Sequence, residues 1–137
     1  MIRFSQLDTA ETFVRASADQ CFALFCDVKL LHHFIASLRR VKVVRVRPDG
    51  RPLEALFEGE HLSYSVIYAY DLPNRRVTWE PGVGKRDSVR GFAEFLVEGE
   101  GCRVRYGVES MTRRLDPEEA GLFVAAFAHW VEAPRRR

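Results

Sequence analysis

The chain has 137 residues, 47% of them hydrophobic and 29% charged, which fits one globular unit able to bury roughly two-thirds of its unfolded surface. Lys and Arg total 21 against 19 acids, for a net charge of +2, and Arg135-Arg136-Arg137 supplies three of those positives. The rest is close to neutral, which excludes a strongly basic nucleic-acid-binding domain.

Glu11–Ala16 alternates as a first strand. Ser17 can then cap a short helix over Ala18–Cys26, with Gln20 in the reciprocal capping-box position and Cys21, Phe22, Leu24 and Phe25 on its apolar side. Asp27 can cap a second short helix, Lys29–Leu38, that presents Leu30, Leu31, Phe34, Ile35 and Leu38. Strands follow over Val41–Arg47, Leu53–Glu58, Leu62–Tyr70, Arg76–Glu80, Ser88–Glu98 and Cys102–Met111, separated by turn residues such as Pro48-Asp49-Gly50 and Gly99-Glu100-Gly101. Connections this short make an antiparallel meander.

The last long apolar segment, Leu115–Val131, reads as a helix. Asp116 suits its N-cap, Pro117 its first position, and Glu118 and Glu119 its positive dipole end. Ala120, Phe123, Val124, Phe127 and Val131 form one apolar face, while Leu122, Ala125, Ala126 and Trp130 leave little polar surface opposite. A helix this apolar is expected to be largely wrapped by other elements, and it is too short to span a bilayer. The predicted order is strand, two short helices, six strands and a long helix. That is α+β, with the helices on one face of a curved sheet.

Alternation assigns the faces. Cys102, Val104, Tyr106, Val108 and Ser110 share one side of the last strand, and Val89, Gly91, Ala93, Phe95 and Val97 one side of the strand before it. Leu62, Tyr64, Val66, Tyr68 and Tyr70 line another inner face. Tyrosines beside a helix suit an apolar pocket carrying a few hydroxyls.

This order, together with several strings, resembles the START/polyketide-cyclase superfamily, also called SRPBCC or helix-grip. The strings are VRASADQCFALFCDVKLLHHFIASLRRVKVV, DLPNRRVTWEP and SVRGFAEFLVEGEGCRVRYGVES, and the resemblance spans nearly the whole chain. His33-Phe34 departs from the aromatic, such as Trp, that many relatives carry in the second helix. The resemblance implies a single domain over residues 1–137, with a seven-stranded antiparallel sheet wrapped around the C-terminal helix and a ligand cavity between them. Its members bind lipids, sterols, quinones or polyketides, and some catalyse cyclisation or dehydration. It brings no shared catalytic motif that can be placed here residue by residue.

Three functions follow as expectations. The first is binding of a small hydrophobic molecule (lipid, quinone or polyketide-like) by Val14, Phe34, Tyr64, Tyr68, Phe95, Tyr106, Ser110, Phe123 and Phe127. The second is a cyclase or dehydratase using the same cavity, for which His33, Asp87 and Tyr106 are the nominated acids or bases. The third is an interaction module whose interior is filled by its ten phenylalanines. Each nominee also has a plainer reading: an exposed histidine, a solvated strand-end aspartate, a core tyrosine.

The histidines have no carboxylate at ligand spacing, so neither a metal nor any cofactor is implied. Cys21, Cys26 and Cys102 are an odd number without ligand spacing; with no secretory leader in view, they suggest a reducing cytoplasm. PGVGKR lacks the first glycine and the Ser/Thr of a phosphate loop. Arg39, Arg40, Arg45, Arg47 and Arg51 read as a solvated outer face rather than a nucleic-acid stripe. The expected partner is a small hydrophobic molecule, without nucleic acid or stable membrane insertion. A homodimer is expected if part of the last helix stays uncovered.

Overall fold

A computed structural model describes residues 8–35, 38–59, 63–82, 89–110 and 119–133. Seven strands are found: β1 (Asp8–Val14), β2 (Leu38–Val46), β3 (Pro52–Gly59), β4 (Ser63–Asp71), β5 (Arg76–Pro81), β6 (Val89–Glu98) and β7 (Gly101–Ser110). They form one antiparallel sheet in the order β1-β7-β6-β5-β4-β3-β2. Between β1 and β2 lie helix α1 (Ala18–Cys26) and a 3-10 helix (Val28–His33); helix α2 (Glu119–Glu132) follows β7. This is the expected α+β arrangement. No described helix is long and apolar enough to cross a membrane.

Local chemistry sets most boundaries. The Ser17 hydroxyl accepts a hydrogen bond from the Gln20 amide at 3.0 Å, satisfying one of the free donors at the start of α1. Replacing Ser17 with Ala should cost about 1 kcal/mol in a denaturant titration; an unchanged midpoint would rule the cap out as a source of stability. In the β4–β5 turn, Arg75 adopts φ of 49°, and its Nε donates to Asp19 on α1 at 2.6 Å. That ion pair links the turn to α1.

Three predicted elements are corrected. The second helix is not an α-helix to Leu38 but a 3-10 segment ending at His33, and Leu38 already belongs to β2. Asp27 makes no side-chain cap there, and the bonds Leu30 N to Asp27 O and Phe34 N to Leu31 O are the tighter i-to-i−3 kind. The first strand runs over Asp8–Val14 rather than Glu11–Ala16, because it pairs with β7 from Asp8↔Val108 to Val14↔Cys102.

The last helix is covered on one side only. Ala120, Phe123, Val124 and Phe127 are buried as predicted, but Gly121, Ala125 and His129 are exposed and Leu122 is 60% exposed. Its packing explains the difference: α2 lies against β1, β7 and the 3-10 helix rather than across the whole sheet. Its predicted cap residues Asp116, Pro117 and Glu118 lie outside the described residues.

The two sheet edges differ. At the β2 edge the register with β3 slips between Leu38 and Arg40 and again between Val43 and Arg45, so Arg39 and Val44 are bulged. Arg40 and Arg45 pair with Glu58 and Glu54 on β3, each contact under 3 Å. Bulges and charges of this kind discourage a further strand from adding. At the other edge, α2 holds β1: the Ala120 amide donates to Asp8 Oδ2 at 2.9 Å and the Arg15 amide to Glu132 Oε2 at 2.8 Å.

Candidate ligand site

The helix-side face of the sheet carries the residues that alternation placed there. Val14, Val66, Tyr68, Phe95, Val104 and Tyr106 are all buried in the common core, and Tyr64 is half-buried against it. Beneath α2 their space is taken up by one another's rings. Tyr106 stacks on Phe123 with centroids 4.0 Å apart and planes 9° apart. Phe34 meets Phe123 and Phe127 edge-on at 5.7 and 5.3 Å, and Phe95 lies 6.2 Å from Phe127. These spacings are those of favourable aromatic pairs. Five nominated wall residues therefore form one packed cluster on the β7 and β6 side.

Two rings that the sequence reading did not place in the wall sit at the centre of that cluster. Phe25 of α1 lies 5.6–6.5 Å from Phe95, Trp79, Phe123 and Tyr106. Trp79 bridges Tyr106 at 5.7 Å and Tyr68 at 6.3 Å. Phe25 was visible on the apolar side of its helix; its reach across to α2 was not.

Toward β4 and β3 the lining becomes hydroxylic. Tyr64 packs on Phe57 at 5.3 Å, and Tyr70 donates from its phenol to the Pro52 carbonyl at 2.5 Å. Tyr68 and Tyr106 are 4% and 5% exposed, and neither hydroxyl is hydrogen-bonded to another described residue. Yet no sealed polar side-chain atom among the described residues lacks a partner. Both oxygens therefore border space that admits a water or a ligand atom. Burial pushes the phenols of Tyr68 and Tyr106 well above the usual tyrosine range, and the nearby Tyr64 phenol adds to the effect at both. They remain protonated at neutral pH, so each can donate a hydrogen bond and neither can act as a resting base.

The other nominees are placed less favourably. His33 is exposed, its ring stacked on Trp130 at 5.6 Å and against His32 at 4.1 Å. His32 is exposed as well, and its Nδ1 is tied to the Lys29 carbonyl at 2.8 Å. Asp87 lies outside the described residues, and Ser110 ends β7 with its side chain outside them.

The cysteines are all buried and unbridged. Desolvation holds the Cys26 thiol up to about 11, although the Arg51 guanidinium beside it acts in the opposite sense. Cys21 and Cys102 adjoin: that contact, with burial, pushes the Cys21 thiol up, and contact with Cys21 holds the Cys102 thiol down. Cys21 and Cys26 therefore stay protonated at neutral pH.

No family model matches the chain, and no curated protein matches its sequence. Solved structures do match it. A Deinococcus radiodurans protein aligns with a TM-score of 0.73 and 18% identity, covering 90% of this chain and 95% of that one. A START superfamily protein from Mycobacterium smegmatis aligns at 0.62 and 14%, covering 90% of each chain. The Zhui aromatase/cyclase from a Streptomyces species aligns at 0.63 and 13%, covering 90% of this chain and 80% of the other. At these identities the likeness concerns the fold.

Proposed function

We propose that this chain, which has the START or helix-grip fold, binds a small and mostly apolar molecule on the helix-side face of its sheet. The ligand would lie toward β4 and β3, next to the ring cluster rather than within it. The observation that carries this reading is the pair of buried Tyr68 and Tyr106 hydroxyls, protonated and without a partner among the described residues. Such donors orient a carbonyl or hydroxyl oxygen. The surrounding Phe57, Val66 and Trp79 supply apolar contact, worth about 25 cal/mol per Å² before ordering costs.

Native mass spectrometry of the purified protein, followed by denaturing extraction, tests this directly. A co-purifying lipid, quinone or polyketide-like mass supports binding. An empty protein that also takes up none of these when they are supplied overturns it, and favours the interaction-module reading, for which the packed rings beneath α2 speak. Tyr68→Phe should then keep the wild-type unfolding midpoint, since its hydroxyl bonds no other described residue. Retention of the extracted ligand should fall roughly fivefold, the worth of one neutral hydrogen bond. An equal loss of stability would instead make that hydroxyl structural.

A second reading, cyclisation or dehydration of a polyketide-like chain, is favoured by the same protonated phenols, which can deliver a proton to a developing enolate. The aromatase/cyclase among the similar structures points the same way. It requires turnover of the extracted compound that Tyr106→Phe abolishes while binding persists.

A further inference from the structure

The helix-side face of the sheet is nearly free of charge. From β3 through β7 to β1, strand register turns apolar, hydroxylic or small residues toward the helices. Among the described positions on those strands only one bears a carboxyl or basic group, Asp8. Asp8 opens β1 opposite Val108, on the same face as Ala10, which pairs with Tyr106. Asp8 and Tyr106 are therefore diagonal cross-strand neighbours, their Cβ atoms roughly 7–8 Å apart. The Asp8 side chain is half-buried, and no described Lys, Arg or His pairs with it. It accepts instead from the Ala120 amide at 2.9 Å, at the start of α2, where the helix dipole favours a negative group.

The charge around the Tyr68 and Tyr106 hydroxyls is thus of one sign. Burial raises the Tyr106 phenol most, Tyr64, Glu119 and Asp8 raise it further, and no cation acts in the opposite sense there or at Tyr68. Arg47 and Arg51 stand at the Tyr70 end of β4. Arg47 lies over the Tyr70 ring at 4.9 Å, and both arginines pair with Asp49, at 3.6 and 2.8 Å. An anion brought beside Tyr106 would lose its water, face the Asp8 carboxylate and find the α2 N-terminus already taken. A buried charge without a partner costs far more than a buried carbonyl that accepts a hydrogen bond.

We propose that this face selects uncharged carbonyl compounds, such as ketones and quinones, over carboxylates of the same shape, with Asp8 as the residue that sets the preference. The inference rests on the binding reading above and narrows its ligand to one charge class. The ligand carbonyl accepts from the Tyr68 or Tyr106 hydroxyl. A carboxylate accepts the same bond, but its charge stands against Asp8 with no cation to offset it. Among lipids, the site admits esters and ketones and excludes free fatty acids at neutral pH.

The test is a titration of the isotope-labelled protein at neutral pH followed by amide NMR shifts. The probes are naphthyl methyl ketone and naphthoate, its carboxylate counterpart. The ketone is expected to shift Val66, Tyr68 and Tyr106 saturably, and naphthoate to bind there at least about tenfold more weakly. Asp8→Asn removes the charge and keeps an oxygen for the Ala120 amide, and its amide spectrum reports whether the fold persists. In that variant the ratio between the two probes should narrow at least about threefold, as expected for one half-buried charge at this distance. Naphthoate binding as tightly as the ketone overturns the charge preference and leaves ligand binding standing. A ratio that Asp8→Asn does not move overturns Asp8 as its source. A protein that takes up neither probe overturns the preference together with the binding reading.

Discussion

Replacing Phe127 with alanine is expected to destabilise the protein by about 3–5 kcal/mol, the range for truncating a fully buried phenylalanine. The side chain has no exposed surface and contacts three rings, two of them from other segments: Phe34 after the 3-10 helix, Phe95 on β6 and Phe123 one turn earlier on α2. Those partners are fixed by backbone elements and cannot close the gap, so both the transfer term and the cavity term apply. Against a total stability of roughly 5–15 kcal/mol, this loss is a large fraction of the whole. A urea titration reads it as a falling midpoint with little change in slope. Leu122→Ala on the same helix, at a side chain 60% exposed, should stay within about 0.5 kcal/mol of wild type. A loss below about 1 kcal/mol at Phe127 would mean that the ring cluster is not packed as described.

The second large effect is expected at Gly91, near the start of β6. A Cβ there would run into the Gly107 carbonyl oxygen of the neighbouring strand and come within 2.8 Å of the Trp79 indole. The carbonyl belongs to the β6–β7 ladder, where Gly91 pairs with Val108 and Phe92 with Gly107, so it cannot step aside without breaking register. Gly91→Ala should therefore cost at least about 3 kcal/mol, the upper end for overpacking, or prevent folding. Gly121→Ala is the informative control. Gly121 sits on the exposed side of α2 with nothing within 4 Å of an added Cβ. Alanine there should raise the unfolding midpoint, by an amount near the 1 kcal/mol helix preference for Ala over Gly. Similar effects of the two substitutions would show that the close β6–β7 approach is not what constrains the sheet.

Periodicity made the frame legible and left the contacts hidden. Phe123 and Phe127 could be assigned to the buried face of a helix, and Tyr64, Tyr68 and Tyr106 to the inner face of strands, because spacings of 3.6 and 2 residues fix side-chain direction. The 3-10 segment was misread because Leu30, Leu31 and Phe34 satisfy either helical period, and hydrogen-bond pattern decides between them. His33 takes the plainer of its two readings, an exposed side chain. The wrapping of α2 was overestimated because the composition of a helix says how much could be buried, not how far the sheet reaches around it. The seating of Phe92 was beyond reach altogether. Its ring lies where a Cβ of Gly107 would be, beside Thr9, a fact of register between strands that lie far apart in the chain.

That pairing of β1 with β7 also bears on how the molecule is made. Strands β2 to β7 follow one another through short hairpins, and each can find its partner as soon as the next has left the ribosome. β1 cannot. Asp8 must wait for Val108 and Val14 for Cys102, so the first strand to emerge is the last to enter the sheet. Closing so long a loop carries an entropy cost that the local hairpins never meet. Until then Phe13 and Val14 travel without a partner, and the nascent chain depends on whatever shields them in the meantime.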